Sequence, residues 1–434
     1  MIYLLCSNIT QRHRYTFNLV FNRWLNAEYQ IITSADDYEP GKGALIVYNN
    51  THRQSGIFIP SSGILDETAI RNLIPEYGTY LSKPILFPAV ENHSTLPYDI
   101  FSAIFYMVSR YEEYMPYTPD KHGRFEVSMS YAGIRGVQHV PVVDYWLMQL
   151  REVIEQFYPG EIAKQEPYTF LPTYDIDQFW CYRHKGFLRN SAGFMRDLFK
   201  GKTREAGIRL RVIFSSEKDP FDSYEYQDSL HQKYALKPIY FIHPGTYGTF
   251  DKNIPLHKHA VVKMVQALAK KYTIGLHPSY CSAENPDLLQ QEIKAFSDLT
   301  GTPVSCCRQH FLRIHIPDTY RNYLACGITH DYSLGWASDN GFRAGTGRSF
   351  PFYDLKKEQE TALILHPLTM MDGAFKNYKK QSAKEAMQEA ESMINALKET
   401  GSSCISLWHN ESLGSSKRWA GWKEVYEFIL EKAR

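Results

Sequence analysis

From Tyr168 onward the chain repeats one pattern: a short apolar run, a helical stretch, then another apolar run. The runs Tyr168–Asp177, Lys237–His243, Tyr272–His277, Pro303–Arg308, Gly327–Leu334, Ala362–His366 and Cys404–His409 read as seven strands. Strands alternating with helices build a parallel sheet, open or closed into a barrel. Sites in such folds gather where strands reach their C-terminal edge. Here those ends carry Asp175-Ile-Asp177, His243, His277, Arg308-Gln-His310, His330-Asp331, His366 and His409-Asn410. A structural strand end ordinarily shows Gly, Asn or Asp, so histidine on most of them marks a site.

Local signals frame this repeat. Asn285 is an N-cap candidate for a helix over Pro286–Thr300, and Ser382-x-x-Glu385 is a capping box with Gly401 as the matching stop. Gly421–Lys432 reads as a closing helix. The first third predicts strands at Ile2–Leu5, Ala44–Tyr48, Gly56–Ile59 and Pro84–Ala89, and helices over Tyr98–Met115 and Val142–Tyr158. Pro159-Gly160 and the polar stretch after it mark a boundary. The expected organisation is a smaller α/β domain of unassigned role over 1–165, then a seven-stranded (β/α) barrel over 166–434, with distortion allowed.

Composition narrows the function. Lys plus Arg number 48 and Asp plus Glu 47, a net charge of +1, which argues against a globally basic nucleic-acid binder. No run approaches the roughly 18 apolar residues of a spanning helix. The start MIYLLCSNITQRH reads as a first strand and not as a signal peptide, which predicts a cytoplasmic protein. Seven irregularly spaced cysteines read as reduced thiols, with Cys306-Cys307 filling core.

Three strand ends carry chemistry. Asp175 and Asp177, two residues apart, suit divided roles, one on a cation and one taking a proton from water. They equally suit an Asx-turn closing a strand. His277 follows Ile274-Gly-Leu and precedes Pro278. His409 follows Trp408, and a neutral imidazole there can protonate a leaving amine. Trp408 offers either a sugar-facing platform or packing against the rim.

In order, Thr173–Asp177, His277, Arg308-Gln-His-Phe311, Asp331 with Trp336, and Leu407-Trp-His409 resemble the five motifs of the polysaccharide deacetylases, also called carbohydrate esterase family 4 or the NodB homology domain. The resemblance runs from about Tyr168 to the C-terminus. Asp331–Ala337 followed by Gly341–Gly345 looks typical of a Bacteroidetes subgroup with an extra N-terminal domain. The resemblance implies hydrolysis of an N-acetyl group on a sugar or polysaccharide precursor, with a divalent metal, commonly zinc. It makes Asp177 and His277 metal ligands, Asp175 the general base, Arg308 its orienting partner and His409 the general acid held by Asp331. Phe311 would add a backbone N–H to an oxyanion hole.

The chain also departs from the family pattern. Cys281 stands where the second motif has its further His, and His310 where the third has Pro. The third ligand therefore falls to His310, His184, His243 or Cys281, or the metal site is degraded and the chain is a carbohydrate-binding or regulatory protein. A glycosidase with Asp331 as second carboxylate is another reading. The Gly341–Arg348 run suggests a mobile loop offering Arg343 to an anionic sugar. Between Arg183 and Arg211 lie nine basic and two acidic residues. They read as a solvated helical face, or as a contact for phosphates of a nucleotide- or lipid-linked sugar or for an anionic membrane. Tyr111–Tyr117 looks exposed, suited to oligomerisation or polymer contact, or else to packing on the barrel.

Overall fold

The computed structural model describes residues 1–49, 56–89, 93–245 and 247–434. It is a mixed α/β molecule built on two parallel sheets. The first holds β1 (Ile2–Cys6), β2 (Tyr29–Ile32), β3 (Ala44–Asn49) and β4 (Ile57–Pro60) in the order β2-β1-β3-β4, all parallel. The sequence reading omits β2, a half-buried edge strand too short to show alternation. An antiparallel hairpin follows, β5 (Tyr77–Tyr80) with β6 (Lys83–Leu86).

The second sheet comprises β7 (Thr169–Ile176), β8 (Ile239–Ile242), β9 (Thr273–Leu276), β10 (Cys306–Cys307), β11 (His330–Asp331), β12 (Phe350–Asp354), β13 (Gln359–Leu365), β14 (Met370–Met371) and β15 (Ser403–His409). Their order is β12-β13-β11-β10-β9-β8-β7-β15-β14, and only the β12–β13 pairing is antiparallel. The expected seven strands become nine, because β12 and the two-residue β14 carry no periodic signal long enough to read. Among the described residues no strand ladder joins the edges of this sheet. Between β13 and β14, Leu368 N donates to Leu334 O and Thr369 N to Ile405 O, 2.9 Å each.

The capped helices form where their signals stand. Pro286–Thr300 starts on Asn285, whose side chain accepts from Leu288 N. Ala383–Thr400 starts on a complete Ser382/Glu385 box and ends at Gly401 in the left-handed region. The helix expected over Tyr98–Met115 is shorter, Ile100–Val108, and Arg110 at φ 53° breaks it from a short 3₁₀ turn over Tyr111–Tyr114.

That break serves a buried ion network. Arg110 contacts Glu113 Oε1 at 2.8 Å and Glu112 Oε1 at 2.6 Å, and Glu113 holds Arg343 through bonds of 2.9 and 2.6 Å. Arg110 also donates to the Arg343 carbonyl. The Tyr111–Tyr117 stretch is therefore not an exposed patch at its start: Tyr111, Glu112 and Glu113 are buried. Nor is Gly341–Arg348 a mobile loop. Phe342 N donates to Gln138 O, Val143 N to Gly345 O, and Thr346 Oγ1 to Asp144 Oδ1. Gly345 sits at φ +68° against Val142, Val143 and Met107, where a side chain has no room. Further bonds run from Arg12 to Glu358 and from Tyr15 to the Pro351 carbonyl. One continuous buried apolar cluster spans both sheets.

Replacing Glu113 by Gln leaves Arg343 buried without a counter-charge. We expect a loss of about 3–5 kcal/mol of stability, read from urea unfolding.

Candidate functional site

The polar strand ends of the second sheet meet in a cleft of about 540 Å³. Asp175 lies within β7 and is buried, whereas Asp177 lies just past the strand end and is part exposed. That one step explains how two carboxylates in an i, i+2 relation reach different partners. Arg308 Nη1 donates to Asp175 Oδ1 at 2.9 Å, and its Nε donates to the Tyr332 carbonyl. The guanidinium lies over the Phe241 ring, 4.4 Å from its centroid.

Two histidines face Asp177 with the same nitrogen. His277 Nδ1 donates to the Arg308 carbonyl at 2.6 Å, and His310 Nδ1 donates to Asp251 Oδ1 at 2.8 Å. Each Nδ1 is thus occupied, so each Nε2 is the free nitrogen. His277 Nε2 stands 3.2 Å from Asp177 Oδ1 and 3.6 Å from Asp175 Oδ2, and His310 Nε2 stands 3.6 Å from Asp177 Oδ2. The ligand atoms of Asp177, His277 and His310 lie within 4.8 Å of one another. Asp177 Oδ1 is buried and accepts no hydrogen bond. Two imidazoles and one carboxylate, with an oxygen left unsatisfied between them, fit a zinc-like divalent cation.

The outer partners fix these groups. Asp251 Oδ1 also accepts from His243 Nε2 at 2.9 Å and from Tyr280 N. Burial pushes His243 down to about 4, so it stays neutral and donates. His310, which burial alone would lower, is raised to about 9 by Asp177 and Asp251. His310, with His277 and His409, holds Asp177 well below the usual carboxylate range against the opposing effect of burial. Opposite them, His409 Nδ1 donates to Asp372 Oδ1 at 2.8 Å, and the His409 backbone N–H donates to Asp372 Oδ2 at 2.9 Å. Its Nε2 is 3.8 Å from Asp177 Oδ2. Burial disfavours the charged imidazole, but Asp372, with Asp177 and Asp175, raises it well above its ordinary value.

Of the residues expected from sequence, Asp175, Asp177, His277, Arg308 and His409 are brought together, and His310 joins them. Four expectations are corrected. The carboxylate on His409 is Asp372, not Asp331, which is buried beneath the site and accepts from Tyr320 Oη at 3.2 Å. Arg343 is spent on Glu113 and the Gly335 carbonyl, far from any sugar contact. Trp408 is fully buried against Tyr426 and Trp422 and offers no platform. Cys281 is exposed and belongs to no candidate metal group among the described residues, and His184 packs on Trp180. All seven cysteines are free thiols.

The sequence reading missed Asp251, Asp372 and the cleft wall. Asp372 directly follows β14, and an acid closing Leu368-Thr-Met-Met is the signal that could have found it. The wall includes Lys121, His122 and Arg124 from the first third of the chain, facing Tyr378, Glu411, Arg418 and Trp419. Arg124 Nη1 donates to the Phe311 carbonyl at 2.9 Å, and Phe311 sits at φ 62°.

A family model described as a family of unknown function (DUF7033) matches residues 2–159. No curated protein sequence matches the chain. Among solved structures, the chain is similar to a Mycobacterium smegmatis protein assigned as a polysaccharide deacetylase, at 11% identity and TM-score 0.40, covering 61% of this chain and 84% of that one. It is similar to Puue allantoinase at 11% identity and TM-score 0.38, covering 63% and 89%. A Pseudomonas aeruginosa PAO1 protein assigned as a polysaccharide deacetylase matches at 10% identity and TM-score 0.39, covering 61% and 84%.

Asp331 yields a pH prediction. Burial raises it to about 6, against hydrogen bonds from Ser333 and Tyr320 that lower it. Its folded value is above the unfolded one, so its stabilisation is full below about pH 4 and is lost as pH rises through about 6. Relative to wild type, Asp331→Asn is expected to gain about 2–3 kcal/mol between pH 4 and pH 7 in denaturant titrations.

Proposed function

We propose that the chain is a metal-dependent amide hydrolase that removes an N-acetyl group from a sugar or a polysaccharide precursor. The observation that carries this reading is the convergence of Asp177, His277 and His310 between a carboxylate held by arginine and an imidazole held by carboxylate. Asp177, His277 and His310 would hold the ion. When bound, such an ion polarises an amide carbonyl and lowers the pKa of a water molecule.

Asp175 is the general base in this reading. Its Oδ1 is tied to Arg308, which leaves Oδ2 to take the proton of the attacking water. His409 is the general acid: its Nε2 proton passes to the amine nitrogen as the C–N bond breaks, and Asp372 stabilises the imidazolium beforehand. Water's oxygen ends on acetate, and the sugar keeps a free amine. The backbone N–H of Phe311 is assigned to the developing oxyanion. Tyr378 on the cleft wall is exposed and gives a flat face to a sugar ring. Residues 1–165 act in this reading as a domain that closes one side of a barrel-like 166–434 unit, through Lys121, His122 and Arg124. The complete set of acid, base and ligand side chains favours an enzyme over a degraded binding protein. The glycosidase reading loses its second carboxylate, since Asp331 does not line the cleft.

Elemental analysis is the test. Asp177→Ala, His277→Ala and His310→Ala are each expected to abolish stoichiometric metal, while Cys281→Ser retains it. Asp175→Asn keeps the metal and lowers acetate release from N-acetylated sugars by about 10²–10⁴-fold. Unchanged metal content in the three alanine variants would overturn the ligand assignment.

A further inference from the structure

Beyond the cleft, the chain carries a helical hairpin that leaves many of its large apolar side chains exposed. Helices Phe187–Phe199 and Thr203–Phe214 follow β7 by way of a short linker. Beside the buried Ala206 and Val212 the hairpin buries an ion pair: Arg209 Nη2 donates to Asp197 Oδ2 at 2.7 Å, and Arg209 reaches Asn190 as well. Gly193 makes room for that guanidinium, since a side chain there would collide with it. Most of the largest apolar residues are exposed. Phe187, Leu188, Phe199 and Phe214 are each 80% or more exposed. Seven of the sixteen large apolar side chains exposed among the described residues fall within this hairpin. Clustering of this kind marks an interaction surface, whereas scattered single exposures do not.

Charge identifies the partner. Residues 187–214 hold seven basic and two acidic side chains, a net +5 in a chain whose total is +1. Lys200, Lys202 and Arg204 sit at the exposed turn beside Phe199 and enter no ion pair among the described residues. A groove of about 770 Å³ opens along the same hairpin, lined by Phe187, Phe194, Met195, Leu210 and Phe214. A second copy docked two-fold on this face would set basic side chains against basic side chains. An anionic lipid surface meets both features: aromatic and aliphatic side chains enter the acyl boundary while lysine and arginine meet the phosphates.

We propose that the hairpin is a membrane-docking surface that seats the protein on an anionic bilayer. The linker into the hairpin touches the cleft lining, since Lys185 Nζ donates to Gln178 at 2.7 Å and Gln178 lines the cleft. The proposal does not depend on the reaction assigned above.

The test is flotation of the full chain with vesicles of phosphatidylcholine plus phosphatidylglycerol, against phosphatidylcholine alone. Wild type is expected to float with the anionic vesicles and to be released at about 1 M salt, where screening is nearly complete. Phe199→Ser with Phe214→Ser, and separately Lys200→Ala with Lys202→Ala and Arg204→Ala, should each weaken partitioning at least about tenfold. Both sets lie on exposed positions, so thermal melting should match wild type. Failure of wild type to float, equal binding to neutral vesicles, or unchanged binding by both variants would overturn the proposal. Concentration-dependent dimerisation abolished by the phenylalanine changes, without vesicle binding, would overturn it in favour of a second copy.

Discussion

Arg308 is the residue on which the site depends. It is fully buried, and it ties four strands of the second sheet at one point. It follows β10, its Nη1 bonds Asp175 on β7, its Nε bonds the carbonyl of Tyr332 beyond β11, and its own carbonyl fixes His277 beyond β9. A buried guanidinium is costly unless it is paired and hydrogen-bonded, and that cost makes the arrangement specific. Any slip of β7, β9 or β11 against β10 would leave a charge or a donor stranded in the core. The positions of Asp175 and His277 are therefore set by the same desolvation penalty.

The outward shell repeats the principle with carboxylates. Asp251 and Asp372 each bind the Nδ1 side of a cleft histidine, which orients the ring and sets which nitrogen faces Asp177. They differ in consequence. Asp251 shares its charge with His243 and Tyr280, so it is an anchor with three donors. Asp372 binds both the ring and the backbone of His409, so ring and strand end move as one unit. The asymmetry suits one imidazole that holds still as a ligand and another that changes protonation.

Much of this was legible in the sequence, and what was not has physical reasons. Strands buried on both faces announce themselves as apolar runs, and a His or Asp at their ends is visible by contrast; Asp175, Asp177, His277, Arg308 and His409 were found that way. Asp331 obeyed the same rule and misled, because a strand-end acid can point beneath the sheet as easily as above it. Trp408 misled because a residue beside a site residue in a strand faces the opposite side. Asp251 and Asp372 were missed because they reach the site from a loop and from a two-residue strand. The buried Arg110–Glu113–Arg343 network was also hidden, since a charge-rich stretch in sequence looks the same whether its charges meet water or each other.

The same ambiguity runs the opposite way in the hairpin after β7. Its sequence has the alternation of apolar and basic residues expected of a solvated amphipathic helix pair, in which the apolar side faces the protein. The fold leaves Phe187, Leu188, Phe199 and Phe214 exposed, while the Arg209–Asp197 pair is buried beside Ala206 and Val212. Burying that pair costs desolvation, and exposing four aromatic and aliphatic side chains forgoes burial of about 1.5–3 kcal/mol each. Both costs fall in one segment next to the cleft. A partner seated on this face would return that burial, which is the physical basis for reading it as a docking surface.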